Sequence, residues 1–209
     1  MGDHMLTREY FPAAPLAMSD ALKTAMVRYY DFQTAYQNFL RGTTSKAAYL
    51  PVVSTSSNYS VNAWPPKSYS ITTFAKKVGN CDVLHFLNFL NTDDLSWRDV
   101  WGTRTFPDKY TGIPITVTAN RKIDKVWAAS PDSHAGAVQE LVFTQKGDDV
   151  SFVLPSLEYW TMVVMEGPND EDHVYITGEA VQLDGHDAYD LASAKKRTTK
   201  AKAKAKNRL

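Results

Sequence analysis

The chain has 209 residues, of which 44% are hydrophobic and 12% aromatic, so it is long and apolar enough to bury a substantial core. No run reaches the ~18 consecutive apolar residues of a membrane-spanning helix, so a membrane partner is not expected. The first residues, MGDHMLTREYFP, have neither the basic region nor the apolar stretch of a signal peptide, which predicts a cytoplasmic location for the chain as written.

The formal net charge of zero conceals a strongly basic end. The last fifteen residues, KKRTTKAKAKAKNRL, hold eight of the 23 Lys and Arg residues, which leaves 15 basic against 23 acidic residues in the rest of the chain. A low-complexity block of one charge predicts a disordered, solvated tail over residues 190–209. A tail that binds nucleic acid is the weaker alternative, because the acidic remainder does not interleave aromatic and basic residues.

One long helix is predicted to begin near the N-terminus. Ser19 is suited to cap it, Asp20 places an acid in its first turn, and Gly42 is suited to end it. The apolar positions that recur with helical spacing are Leu22, Met26, Tyr29, Tyr36, Phe39 and Leu40. This spacing predicts a helix of about six turns.

After the helix, short β-rich runs are separated by turn residues, which is typical of an antiparallel sandwich or barrel. Strands are predicted near Ala48–Val53, Ser68–Lys76, Asp82–Phe89, Ile113–Thr118, Lys125–Ser130, Gln139–Gln145, Asp149–Leu154 and Tyr159–Met165, with one more at His173–Gly178. The turns KKVGNCD and TQKGDDV each place Gly beside Asn or Asp, as hairpins require. Pro155 is expected to interrupt the strand ladder.

No metal or cofactor site is predicted. The five histidines are scattered singly, Cys81 is the one cysteine, and no Gly-rich phosphate loop occurs. Cys81 fits a small buried apolar position better than a reactive one. The acidic run NDEDH fits a solvated loop better than a calcium site. The adjacent Asp93 and Asp94 fit a polar turn better than a catalytic carboxylate pair.

Five tryptophans, Trp64, Trp97, Trp101, Trp127 and Trp160, could stack on sugar faces. Trp127 and Trp160 lie in strand patterns, so packing in the core is the better interpretation for these two. Trp97 and Trp101 lie in a loop-like stretch and are the better candidates for exposed, substrate-binding residues.

Several long segments make the chain resemble glycoside hydrolase family 66, which comprises endo-dextranases and cycloisomaltooligosaccharide glucanotransferases. The segments are GDHMLTREYFP, LAMSDALKTAMVRYYDFQTAYQNFLR, TTFAKKVGNCDVLHFLNFLN, LSWRDVWG, KVWAASPD and LVFTQKGDDVSFVLPSLEYWTMVV. They occur in order from Gly2 to about Glu166.

The resemblance implies a mainly β chain that completes a larger enzyme. Residues 1–42 would be the last loop and helix of a catalytic (β/α)8 barrel, and residues 47–180 an antiparallel Greek-key β-sandwich. Family members use an aspartate nucleophile and a glutamate acid/base that lie upstream of anything matching here, so no catalytic residue is assigned to this chain. Asp3 and His4 would lie in a loop that lines the active site and binds substrate.

The resemblance leads to two functional hypotheses. In the first, the chain supports an extracellular enzyme that acts on α-1,6-glucan, meaning dextran and isomaltooligosaccharides, and is inactive without an upstream barrel polypeptide. In that case the apolar stripe of the helix would pack against a barrel that this chain lacks. In the second, the sandwich is a non-catalytic α-glucan-binding module that uses Trp97 and Trp101. The choice between hydrolysis and cyclisation stays open at this point.

Overall fold

The computed structural model describes residues 19–42, 46–96 and 104–168. Its helices are α1 (Asp20–Ala35) and α2 (Gln37–Arg41), and a short 3-10 turn spans His134–Gly136. The strands are β1 (Lys46–Ala48), β2 (Val52–Ser54), β3 (Val61–Ala63), β4 (Ser70–Val78), β5 (Cys81–Phe89), β6 (Tyr110–Thr118), β7 (Lys125–Ala129), β8 (Gln139–Glu140), β9 (Phe143–Lys146), β10 (Asp149–Leu157) and β11 (Trp160–Glu166). Neither described helix has the length and apolarity needed to cross a membrane.

The strands form two sheets. The larger sheet has seven strands in the order β1-β4-β5-β11-β7-β8, with β3 also paired to β4, and the smaller sheet has the order β2-β6-β10-β9. All pairs are antiparallel except β3 with β4. The described part of the chain is therefore mainly β, with antiparallel sheets preceded by one long helical segment, as the sequence predicts.

The two sheets pack face to face around a common apolar core. The larger sheet contributes Ile71, Ala75, Leu84, Phe86, Val126, Ala128, Val163 and Met165, and the smaller sheet contributes Ile113, Ile115, Val117, Val150, Phe152 and Leu154. In each strand these residues alternate along the chain, because successive side chains of a strand point to opposite faces. Burying one such Ile, Leu or Phe side chain stabilises the fold by roughly 1.5–3 kcal/mol.

Two of the predicted strands are divided between the sheets. The predicted strand Ala48–Val53 is two strands, β1 in the larger sheet and β2 in the smaller one. The predicted strand Gln139–Gln145 is likewise divided into β8 and β9. Both are corners at which the chain leaves one sheet and enters the other, a common device where two sheets pack together. Strand β3 was not predicted.

The ladder lacks a pair at Pro155, as predicted, but β10 continues to Leu157, so the predicted strand end at Leu154 is wrong. Leu154 lies opposite Ile113 of β6, and pairing resumes with Ser156 opposite Thr111. Gly112, between those two β6 residues, has a φ of 66°. The proline lacks an N–H and so removes one donor, but the neighbouring pairs on both sides hold the strand in register.

The helix begins where the sequence predicts but is not continuous. The Ser19 hydroxyl accepts a hydrogen bond from the Leu22 N–H at 3.2 Å, which confirms the predicted cap. The helix breaks at Tyr36, whose φ and ψ are −107° and 20°. It ends at Gly42, whose φ of −57° is ordinary. Glycine fits there because a Cβ would lie 2.6 Å from the Asn38 carbonyl oxygen.

A buried ion pair ties the ends of β5 and β11 to the β6–β7 connection. Arg121 Nε donates to Asp82 Oδ2 at 2.7 Å, and a second Arg121 nitrogen donates to the Asn80 carbonyl at 2.6 Å. The Asn80 side chain donates to the Gly167 carbonyl at 2.8 Å. A Cβ at Gly167 would lie 2.1 Å from an Arg121 guanidinium nitrogen, so a larger residue there would have to displace the Arg121 side chain. The Asp82 side chain is 4% exposed, so the Arg121 guanidinium replaces the hydration that the carboxylate loses on burial.

Substitution of Arg121 tests this dependence. We expect Arg121→Met to lower the free energy of unfolding by about 3–5 kcal/mol, because it leaves the Asp82 carboxylate buried without a counter-charge. Urea denaturation followed by circular dichroism measures the change. Lys122→Met is the matched control, since its ion pair with Asp124 is exposed and should contribute less than about 1 kcal/mol. A loss below about 1 kcal/mol for Arg121→Met would contradict the assignment.

Candidate functional site

The helices cover the outer face of the larger sheet, and the two surfaces form a second apolar core, which we name the helix–sheet joint. Its buried members are Phe32, Cys81, Val83, Trp127, Ala129, Met162 and Val164, and its partly buried members are Tyr36, Phe39, Leu40, Val78 and Trp160. The expectation that the helical stripe has no partner within this chain is therefore wrong for its second half. Cys81 is buried, as the sequence predicts.

Aromatic rings provide much of the contact in the joint. Phe32 meets Trp160 edge-on, with ring centroids 5.0 Å apart, and Phe39 meets Trp127 in the same way at 5.5 Å. Phe32 also packs against Tyr36 at 4.6 Å. Such edge-to-face pairs stabilise by about 0.5–1.5 kcal/mol beyond the area they bury. Trp127 and Trp160 are thus packing residues, as the sequence predicts.

Asp132 links the helix to the turn between β10 and β11. The Tyr29 hydroxyl donates to Asp132 Oδ1 at 2.7 Å. The backbone N–H groups of Tyr159 and Trp160 donate to Asp132 Oδ2 at 3.1 and 2.9 Å. Burial raises the pKa of Tyr29, and the hydrogen bond to the Asp132 carboxylate raises it further. Since both carboxylate oxygens are occupied, Asp132 acts as a structural anchor for the joint.

Two further hydrogen bonds fix the end of the helical segment. Lys76 Nζ, from β4, donates to the Leu40 carbonyl at 2.6 Å. A cation is favourable there, because the last carbonyls of a helix lack partners and carry partial negative charge. The Tyr36 hydroxyl donates to the Gly136 carbonyl at 2.7 Å. The break in the helix therefore coincides with an anchored side chain.

His85 lies in the sheet beneath this region and is 1% exposed. Its ring stacks on Phe74 with centroids 4.4 Å apart, and its Nδ1 accepts a hydrogen bond from Trp160 Nε1 at 3.1 Å. Nδ1 must be unprotonated to accept, so the neutral ring carries its proton on Nε2. Nε2 has no hydrogen-bond partner among the described residues. Burial, and then the charge of Lys76, lowers the pKa of His85 to about 4.

The four residues predicted to bind substrate, Asp3, His4, Trp97 and Trp101, lie outside the described residues and remain predictions. In the parts of the chain that the structure describes, no three His, Cys, Asp or Glu side chains come together as a metal site. Asp94 belongs to a polar turn, as predicted. Hydrogen bonds from Ser96 and then from Arg104 lower the pKa of its carboxyl to about 2.

Sequence reasoning named Trp64 among five tryptophans that could stack on sugars but preferred Trp97 and Trp101, and it did not name Tyr49. Trp64 is 60% exposed and Tyr49 is 75% exposed. Trp64 follows β3 directly and precedes two prolines in the run NAWPPK. Because proline is excluded from central strands, this run marks a surface turn and offered a signal that Trp64 is exposed.

The pKa of His85 predicts a specific loss of stability in acid. The folded-state pKa lies below the ordinary value of 6.5, so the unfolded chain takes up the proton first as the pH falls. The stabilisation is fully present above pH 6.5 and is lost between about pH 6.5 and 4. The loss attributable to this residue is about 3 kcal/mol. Urea denaturation at a series of pH values measures it.

His85→Asn should abolish the loss of stability in acid that is attributed to His85. Asparagine offers an oxygen that accepts the hydrogen bond from Trp160, but it does not titrate. His134→Asn is the matched control, since His134 is exposed and has a positive φ that asparagine tolerates. The control should keep the wild-type acid dependence. Identical acid dependence in wild type and His85→Asn would contradict the prediction.

The joint also predicts which helical substitutions matter. We expect Phe32→Ala to destabilise the fold by about 3–5 kcal/mol, because it leaves a cavity among packed aromatic rings. Val27→Ala, on an exposed part of the same helix, should change stability by less than about 0.5 kcal/mol. Thermal unfolding and amide hydrogen exchange of α1 measure both effects. Equal behaviour of the two variants would show that the helix does not depend on the joint.

Comparison with known proteins agrees with the resemblance seen in the sequence. The profile of Glycosyl hydrolase family 66 matches residues 1–164. Two cycloisomaltooligosaccharide glucanotransferases of Niallia circulans are similar to the chain, with 34% identity over 181 residues and 32% over 173. The matches cover 79% and 78% of this chain but 18% and 17% of those relatives.

A solved structure is also similar. It is a cycloisomaltooligosaccharide glucanotransferase of Paenibacillus sp. complexed with cycloisomaltoheptaose, with 30% identity and a TM-score of 0.65. The match covers 78% of this chain and 23% of that one, so the chain spans less than a quarter of the length of these proteins. A family profile that matches most of the chain and relatives above 30% identity together place the chain in glycosyl hydrolase family 66.

Proposed function

We propose that this chain is the part of a family 66 enzyme that supports the catalytic barrel and is inactive alone. The observation that carries the proposal is the helix–sheet joint. The family match, over residues 1–164, includes the helix and both sheets. Because the joint fixes α1 and α2 to the larger sheet, any partner that binds the helix is held in a fixed position relative to the sheets.

In this proposal, residues 1–42 are the end of a (β/α)8 barrel, α1 is its last helix, and the sheets are a Greek-key sandwich. Support comes from the exposed face of α1. Phe32 is buried in the joint, whereas Val27 is 59% exposed and Tyr30 is also exposed. A helix with apolar residues on both sides normally has partners on both sides. The barrel would be the second partner.

Two carboxylates of the described residues, those of Asp82 and Asp132, fit a supporting role. A retaining glycosidase needs two carboxyl groups about 5–5.5 Å apart that are free to act on substrate. Asp82 is paired with Arg121, and both oxygens of Asp132 accept hydrogen bonds within the joint. These groups therefore hold the fold together and are not available for the reaction.

The substrate class we propose for the whole enzyme is α-1,6-glucan, meaning dextran and isomaltooligosaccharides. The Paenibacillus relative supports this class, because that protein was solved with cycloisomaltoheptaose. The barrel polypeptide is the partner that the proposal requires. Whether the enzyme hydrolyses dextran or also cyclises its products would be determined by that barrel.

A segment replacement tests the supporting role. This chain would replace the matched 181-residue segment of the Niallia circulans relative. We expect the chimera to fold and to convert dextran, a deletion of the segment to be inactive, and this chain alone to release neither reducing sugar nor cyclic product. Activity of the chain alone would disprove its inactivity. A chimera no better than the deletion would disprove the supporting role.

Variants in the chimera test which face contacts the barrel. The double change Val27→Lys and Tyr30→Lys should lower the melting temperature of the chimera by several degrees while leaving the isolated chain nearly unchanged. Val142→Lys, at an exposed apolar residue between β8 and β9, is the matched control and should be neutral in both. Equal effects of the two changes in the chimera would contradict the assigned face.

A second candidate function is a non-catalytic α-glucan-binding module. The observation that favours it is the pair of exposed aromatic residues, Trp64 and Tyr49. Trp97 and Trp101 stay the residues that the sequence predicts for the same role. Retention of the isolated chain on immobilised dextran distinguishes this function, because a domain that only supports the barrel would not be retained.

A further inference from the structure

We propose that a cleft at the edge of the larger sheet is a binding subsite for a single glucose ring of an α-1,6-glucan, with Trp64 as its stacking surface. We name it the β1–β3 cleft. It deepens the second candidate function, and its ligand class rests on the proposal that the parent enzyme acts on α-1,6-glucan.

The cleft arises because two short strands share one edge of β4. Ala63, at the end of β3, lies opposite Thr73, and Ala48, at the end of β1, lies opposite Ala75. Phe74 is the β4 residue between these two pairings, so neither strand covers the edge there. The resulting cavity has a volume of about 170 Å³ and is lined by residues that include Tyr49, Trp64, Thr73, Phe74, Ala75 and Leu84.

Hydrogen bonds fix the backbone at Trp64, and a ring contact orients its exposed side chain. Its backbone N–H donates to the Thr73 carbonyl at 2.9 Å. The Asn62 side-chain amide donates to the carbonyls of Ala63 and Pro65, on either side of Trp64, at 2.7 and 2.9 Å. The indole then meets the Phe74 ring edge-on, with centroids 6.5 Å apart.

A surface that is already ordered loses little conformational entropy when a ligand binds. An exposed, ordered aromatic ring is therefore a better binding surface than an exposed mobile one. The polar network behind Trp64 continues into β4, because the Ser70 hydroxyl donates to Asn62 Oδ1. Ser70 is buried, so this support is not exchanged for water.

The chemistry of the cleft fits a neutral ring that has one apolar face. Its lining includes no Lys, Arg, Asp or Glu. A pyranose ring presents C–H groups on its faces and hydroxyl groups around its edge. The faces suit the Trp64 ring, and the exposed Tyr49 side chain carries a hydroxyl that can hydrogen-bond to those of the sugar. The volume is well below the roughly 300–1,000 Å³ of a drug-sized site, which matches one sugar ring.

The test is an NMR titration of the isolated, ¹⁵N-labelled chain with isomaltoheptaose, following the indole Nε1–H signals. We expect the Trp64 signal to shift with a Kd on the order of millimolar, as suits a single-ring contact. Trp64→Ala should weaken binding about tenfold, the effect of one aromatic stacking contact. Tyr49→Ala should weaken binding several-fold. Phe106→Ala, at an exposed aromatic outside the cleft, is the matched control and should bind like wild type.

Three results would overturn the proposal. One is a titration that shifts no Trp64 signal. Another is binding that survives both Trp64→Ala and Tyr49→Ala, which would place the site elsewhere, such as at Trp97 and Trp101. The third is Trp64-dependent binding of maltoheptaose as tight as that of isomaltoheptaose, which would remove the α-1,6 assignment. Trp64→Phe keeps an aromatic ring and should retain most of the affinity. It is the control for a loss of binding caused by misfolding.

The chimera separates failure of this proposal from failure of the supporting role. If the isolated chain does not bind isomaltoheptaose but the chimera converts dextran, the subsite is wrong and the supporting role stands. If Trp64→Ala lowers the melting temperature of the chimera but not that of the isolated chain, the cleft contacts another part of the enzyme, which also overturns the subsite.

Discussion

The central strands of the larger sheet are buried on both faces, and most other features of the structure depend on this constraint. In β11, Val163 and Met165 face the smaller sheet, whereas Met162 and Val164 face the helix. Each side of the strand therefore has to be apolar, and the run TMVVM has no alternation of polar and apolar residues. Without the helix, one whole face of that run would be exposed to water.

Covering that face also buries polar groups, and Asp132 and His85 are accommodated in different ways. Asp132 accepts hydrogen bonds from a tyrosine hydroxyl of the helix and from the backbone N–H groups of Tyr159 and Trp160 at the start of β11. His85 is kept neutral, because a charged imidazole would lose its hydration without gaining a counter-ion. The helix is thus fixed by specific polar contacts as well as by aromatic packing, which defines its position along the sheet.

Local features of this fold could be predicted from the sequence, whereas features set by tertiary contacts could not. The cap at Ser19 depends on residues within one turn, and the hairpin between β4 and β5 depends on Gly79 and its neighbours. The corners near Pro51 and Leu141 were missed, because a run of β-forming residues does not reveal which sheet each half joins. The apolar stripe of the helix indicated that the helix packs against a partner, but the sequence did not show that the larger sheet is that partner.

The two proposals reinforce each other through the rigidity of the joint. A subsite that holds one glucose ring binds weakly, so on an independent domain it would capture little substrate. Fixed to a catalytic barrel, the same subsite binds a second part of a chain that the barrel already holds, and that step is governed by effective concentration. Effective concentration is high only when the distance between the sites is defined. The contacts of Phe32, Phe39 and Asp132 define that distance, because they hold the helices directly against the sheet that carries Trp64.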